Sequence, residues 1–156
     1  MIPKHIGIIL DGNRRFAKQL MKMPWQGHSY GLEKAREVID WAYESGIKYI
    51  TAYTLSLENL NTRPKRELNF ILGELRNEMK EIMQNKHHMA HKIQINIKFI
   101  GRLEELPNDL QKLMKEVEIK TANYKNHFLN IAVAYGGQQE IVDATKKIAE
   151  KCMKGV

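Results

Sequence analysis

Along this chain the spacing of apolar residues switches repeatedly between a period of two and one of about 3.6. Residues 6–10 are a short apolar run ending at Asp11-Gly12, the pattern of a buried strand. Asn13 then stands where a helix cap belongs, with Phe16, Leu20 and Met23 on one face and Pro24 as a stop. Residues 32–44 repeat the helical spacing through Ala35, Val38, Ile39 and Ala42, and Gly46 follows their end. Residues 49–55 (YITAYTL) are β-branched and aromatic, a second strand. After Pro64, a stripe of Leu68, Ile71, Leu72, Leu75, Met79, Ile82 and Met83 predicts a long helix. Ile93, Ile95, Ile97 and Phe99 alternate as a third strand, and Pro107 opens a helix with Leu110, Leu113, Met114 and Val117 inward. Residues 128–134 (FLNIAVA) read as a fourth strand, and a last helix carries Ile141, Thr145, Ile148 and Cys152 on one face. Strand alternating with helix predicts an α/β fold: a single domain with a mostly parallel β-sheet flanked by helices.

Composition agrees. A chain of 156 residues with 43% hydrophobic residues suits one core. No run approaches the ~18 uncharged apolar residues of a membrane span, and Met1 to His5 lacks the order of a signal segment. Cys152 alone excludes an internal disulfide and suits a reducing compartment, so a soluble, cytoplasmic chain is expected. The net charge of +7 favours nucleic acid, an anionic membrane surface or phosphorylated substrates, unless it only keeps the surface solvated. Nucleic acid is the least expected, because the aromatic residues fall inside predicted strands and helices instead of among exposed cations.

Ligands of open parallel sheets gather beyond the carboxyl ends of the strands. That rule selects residues 11–15, 56–63, 101–102 and 135–138. An isolated Asp-Gly is ordinarily a turn. Here it lies between a buried strand and a helix start, where amide N–H groups favour an anion and Arg14 and Arg15 add phosphate donors. Asp11 would repel a bare diphosphate, so its presence asks for a bridging cation, and a carboxylate with phosphate oxygens is the usual setting of Mg2+. Neither GxGxxG nor GxxxxGK[ST] occurs. Ser56, Glu58, Asn59 and Arg63 follow the second strand in a polar loop, with Asn61 or Thr62 capping the next helix. His28, in the loop GHSYG, is a phosphate donor or a structural histidine. His87 and His91 have the i, i+4 spacing of a metal pair but lack the carboxylate of HExxH, and Met79, Met83, Met89 and Met114 read as core filler.

Taken in order, HIGIILDGNRRFAK, GHSYG, YTLSLENLNTRP, FIG and NIAVAYGGQQEI resemble the cis-prenyltransferase family, which includes undecaprenyl and dehydrodolichyl diphosphate synthases. The resemblance runs from His5 into the last helix. It implies a transferase that condenses isopentenyl diphosphate onto an allylic prenyl diphosphate, making a cis-polyprenyl diphosphate in isoprenoid biosynthesis. It implies Asp11 as the Mg2+ ligand, and Gly12, Asn13, Arg14, Arg15, His28 and Arg63 as binders of the allylic diphosphate. Phe16 and Leu60 match positions beside the prenyl chain, Ser56, Leu57 and Glu58 match substrate-lining positions, and Asn59 matches a residue assigned a part in proton removal. A homodimer, cytoplasmic or peripheral on a membrane, is also implied. Each added isoprene unit carries roughly 4 kcal/mol of transfer free energy. A dry tunnel or a bilayer is therefore needed, and the stripe from Leu68 to Met83 and the inner side of the second helix are candidate walls.

The pattern departs from the family in places. Pro24 stands where many members have an arginine, Gln138 replaces an arginine after Gly-Gly, and Arg102 an acid after FIG. The family's RxSGExRLSNF-like segment, which binds isopentenyl diphosphate, and a later metal-sharing Glu have no counterpart in these residues. The expectation is the N-terminal and central part of one cis-prenyltransferase domain, impaired in turnover. The alternative is a non-catalytic fragment or partner subunit of a complete enzyme.

Overall fold

The computed structural model describes residues 2–155; Met1, the first residue of the stretch tested above for a signal segment, and Val156 lie outside the described residues. Strands β1 (His5–Ile9), β2 (Tyr49–Ser56), β3 (Ile95–Ile100) and β4 (His127–Tyr135) pair in the order β1-β2-β4-β3, all parallel. Helices α1 (Asn13–Gln19), α2 (Gln26–Glu44), α3 (Leu57–Thr62), α4 (Lys65–Gln84), α5 (Met89–Lys92), α6 (Asn108–Thr121) and α7 (Gly137–Met153) connect and flank them. This is the alternating single-domain architecture that the periodicity predicts. Because every pair is parallel, the carboxyl ends of all four strands open on one edge of the sheet.

The core lies where β2, β3 and β4 meet α4 and α6. Ile50, Ile97, Val133, Met79, Leu110 and Met114 are almost wholly excluded from water there. Burial of that degree makes a Leu→Ala change cost about 2–5 kcal/mol. Met79 and Met114 fill the core, while Met83 and Met89 pack on its margin. His88 caps α5 through Ala90 N–H at 3.1 Å and meets Glu78 at 3.2 Å; His91 bonds the Ile82 carbonyl and the Tyr124 hydroxyl. Both histidines are thereby engaged in the packing of α4 and α5. Gly46, at φ 86°, ends α2 in a Schellman turn with Ile47 N–H on the Ala42 carbonyl at 3.0 Å.

Several boundaries differ from the expectation. Helix α2 begins at Gln26, so His28 lies in its first turns and not in a loop. Glycine propensity argues against helix at Gly27 and Gly31, but packing decides. A Cβ on Gly27 would overlap the Asn13 carbonyl oxygen, and one on Gly31 the Asn13 side chain. The two glycines let α2 press against α1. Gly12 (φ 92°), not Asn13, is the cap residue of α1, and the helix stops at Gln19, before Pro24. The polar stretch after β2 is helix α3, because the Ser56 hydroxyl accepts the Asn59 N–H at 3.0 Å. Thr62 bonds back to the Glu58 carbonyl, and Pro64 occupies the position before α4. Helix α7 leaves Ile141, Val142 and Ile148 exposed and buries none of its residues among those described. Among the described residues no helix is long and apolar enough to cross a membrane.

Candidate functional site

Strand β1 delivers Asp11 to the open edge. After Leu10 N–H bonds the Tyr53 carbonyl at 3.1 Å, the chain leaves the sheet, and Asp11 turns outward with its side chain 79% exposed. Its carboxylate accepts the Gly12 N–H at 2.6 Å and Arg15 Nη2 at 3.3 Å. Asp11, Arg14, Arg15, Lys18 and Lys22 wall a cleft of about 540 Å³ with Gly12 and Pro24. Helix α1 is short, so its guanidinium groups outweigh its dipole in drawing an anion here. On the other side of α1, Gly12, Asn13, Phe16, Tyr30 and Gly31 line a second cleft of about 520 Å³, where the Phe16 and Tyr30 rings meet edge-on at 5.7 Å.

Arg63 enters this region from the end of α3, and the residue that holds it is Glu67. Glu67 is buried, with only 3% of its side chain exposed. One of its oxygens pairs with Arg63, lies 3.0 Å from His28 Nε2, and stands 3.7 Å from Arg14 Nε. Burial alone would push the Glu67 carboxyl up; His28, Arg63 and Arg14 together hold it below the usual carboxylate value. His28 Nδ1 faces Asn13 Nδ2 at 3.4 Å while its Nε2 faces Glu67 at 3.0 Å, so the ring bridges α1 and α4. Arg63 Nε is buried and has no partner among the described residues. A donor left in that state suits an acceptor that arrives with a ligand.

Below this cluster, Leu10, Leu32, Leu55, Ile71 and Leu75 line a narrow, largely apolar cleft of about 100 Å³ between α2, α4 and β2. Arg36 of α2 pairs with Glu78 of α4 across the same gap. The structure thus brings Asp11, Gly12, Asn13, Arg14, Arg15, Phe16, His28 and Arg63 together around α1. It does not bring Ser56, Leu57, Glu58, Asn59 and Leu60 into those clefts. They form α3, with Leu57 and Leu60 packed on the core and Glu58 exposed.

The sequence profile of the undecaprenyl diphosphate synthase family matches residues 9–155. The chain belongs to this prenyltransferase family. A relative from Methanopyrus kandleri, named tritrans,polycis-undecaprenyl-diphosphate synthase (geranylgeranyl-diphosphate specific), is 43% identical over 154 residues; the match covers 99% of this chain and 56% of that one. A relative of the same name from Methanocaldococcus jannaschii is 45% identical, covering 99% and 54%. The crystal structure of lavandulyl diphosphate synthase from Lavandula x intermedia with dimethylallyl diphosphate superposes with a TM-score of 0.88 at 32% identity. That match covers 99% of this chain and 64% of that chain. The chain spans about half the length of the curated relatives.

Within this prenyltransferase framework, Glu67 and Tyr30 are the site residues that sequence reasoning missed. A signal for Glu67 existed: it follows Arg63 by four residues and sits in the first turn of α4, where an acid suits the helix dipole. Burial of its side chain, which makes it a hub, is a tertiary property. Asp11 fits Mg2+ in a restricted sense. Its carboxylate is exposed and carries few internal bonds, yet among the described residues no group of three His, Cys, Asp or Glu side chains could hold a metal. It suits an ion whose other ligands are phosphate oxygens and water.

Proposed function

We propose that these residues build the allylic-diphosphate half of a cis-prenyltransferase site. The reaction condenses isopentenyl diphosphate onto an allylic prenyl diphosphate: the allylic C–O bond breaks, a C–C bond forms, and a proton leaves the isopentenyl unit. The observation that carries the reading is the unpartnered Arg63 Nε beside Arg14, with exposed Asp11 at the same strand end. In this assignment the Gly12 and Asn13 N–H groups and the Arg14, Arg15 and Arg63 guanidinium groups grip the diphosphate. His28 and Glu67 keep Arg63 aimed. Asp11 holds Mg2+, which when bound neutralises charge on the departing diphosphate. Phe16 lies beside the start of the prenyl chain, and the cleft of Leu32, Leu55, Ile71 and Leu75 receives its growing end, widening as α2 and α4 separate. Asn59 with Ser56, Leu57 and Glu58 lines the isopentenyl side, and Leu60 meets the prenyl chain, once α3 shifts toward substrate. A cytoplasmic homodimer, peripheral on a membrane, completes the assignment.

The test is titration of the 156-residue chain with an allylic diphosphate in Mg2+, followed by incorporation of labelled isopentenyl diphosphate with and without the C-terminal segment of a relative. Binding without efficient turnover, and turnover restored by the segment, is the expected result. Absence of Mg2+-dependent binding would sink the assignment. The exposed Ile141, Val142 and Ile148 of α7 favour a second reading, in which the chain docks on a complete subunit without turning over. An unchanged activity of that pair on Asp11→Ala would select it.

A further inference from the structure

The turn between α1 and α2 carries exposed apolar side chains that the diphosphate site does not use, beside a basic rim that it uses only in part. Leu20, Met21 and Met23 project into solvent, Met21 with 98% of its surface exposed. Between residues 12 and 32 every charged side chain is basic: Arg14, Arg15, Lys18 and Lys22, with no acid. The nearest carboxylates are engaged, Asp11 by Arg15 and Glu67 by Arg63 and His28, while Glu33 and Glu37 lie across the cleft beside Lys34. Arg66 stacks on Trp25 at 4.3 Å and extends the cationic rim. Met21 also sits at φ 53°, a left-handed conformation that Gly or Asn adopts more easily. Nothing in the fold rewards an apolar side chain at that place.

We infer that this turn is a docking surface for an anionic lipid bilayer, an inference that deepens the reading above and takes its purpose from it. Apolar tips ringed by lysine and arginine match the shallow insertion of interfacial segments, tips in the acyl boundary and cations at lipid phosphates. Leu20, Met21 and Met23 cannot supply the ~800 Å² per partner that a stable protein interface buries. Single-stranded nucleic acid requires exposed stacking rings, whereas Trp25, the one aromatic residue of the turn, is half-buried and already stacked by Arg66. The turn borders both clefts, since Lys22 and Pro24 wall one and Tyr30, bonded to Lys22, walls the other. A prenyl chain leaving beside Phe16 and Tyr30 therefore passes toward acyl chains instead of water.

Sedimentation of the full chain with vesicles, without substrate, tests this independently of catalysis. The chain should bind phosphatidylcholine vesicles containing phosphatidylglycerol and bind phosphatidylcholine alone several-fold less. Met21→Asp with Met23→Asp should weaken binding at least about tenfold. Lys112→Gln with Lys115→Gln, an equal change of net charge on exposed sites of α6, should stay within about twofold. Met21→Asn, compatible with the left-handed backbone, provides a folded variant should the double substitution perturb the turn; it should weaken binding about threefold. Equal losses at α6 and at the turn, no binding to either vesicle, or displacement of the vesicles by random-sequence RNA would each overturn the inference. None of these outcomes bears on diphosphate binding, which is measured separately.

Discussion

The carboxyl ends of β1 and β2 and those of β4 and β3 lie on one edge of the same sheet, and each half holds a cleft and an arginine. In the β4–β3 half, Arg102 forms bonds of 2.8 and 3.0 Å with Asp143, has Glu105 at 3.8 Å, and lines a cleft of about 380 Å³ with Glu104 and Glu140. Asp143 raises the Arg102 pKa and is itself held below the usual carboxylate value, as expected of a matched pair. In the β1–β2 half, Arg14, Arg15 and Arg63 face Asp11 and Glu67, and Lys18 and Lys22 add further positive charge. Position at a strand end is therefore common to both halves, whereas surplus cation is confined to one. The proposed diphosphate site rests on that surplus: its cations outnumber its carboxylates, whereas Arg102 is matched by Asp143.

The comparison can be broken most severely at its hub. Glu67→Gln leaves Arg63 and Arg14 without their shared buried counter-charge, and a loss of about 3 kcal/mol in urea unfolding is expected. A loss below about 0.5 kcal/mol would show that the cluster is not held by charge. Arg63→Ala should weaken allylic diphosphate binding by roughly 10- to 100-fold in calorimetric titration, the range for hydrogen bonds to a charged group. Arg63→Lys should recover only part, because an ammonium lacks the planar fork.

Acidity offers a milder probe. The Glu67 carboxyl is held below its usual value in the folded chain, so its ion pairs stabilise the fold at pH above the ordinary carboxylate range. That contribution is lost as pH falls below the ordinary carboxylate range and through the depressed value. Glu67→Gln should flatten this part of the acid profile. It should not abolish it, since Glu78, beside His88 and Arg36, is also held low. The smallest effect is expected in the opposite half: Arg102→Ala should leave allylic diphosphate affinity within about twofold. A tenfold loss there would erase the distinction between the two halves.

The legible and illegible parts of the site separate along a physical line. Asp11, Arg14, Arg15 and Arg63 were readable because strand ends and local residue types announce them. Glu67 was not, because its burial depends on α2 and α4 closing over it. The helical place of His28 is hidden for a related reason: Gly27 and Gly31 look like helix breakers until α1 is packed against them. In residues 57–62 polar side chains give the pattern of a loop and hide the helix that the Ser56 cap starts. The stripe on α4 was right in period, yet periodicity could not separate Leu72, buried in the core, from Ile71 and Leu75, which line the cleft.

Periodicity and turn chemistry act between near neighbours, and they suffice for the strand–helix alternation, the parallel sheet and the ordered motifs of the prenyltransferase family. Which arginines keep their charge available is a matter of distances between segments far apart in the chain. Arg14, His28, Arg63 and Glu67 meet only after α1, α2 and α4 converge, and Arg102 is neutralised only when α7 brings Asp143 to it. Coulomb interactions and desolvation depend on separation in space, and packing alone sets that separation.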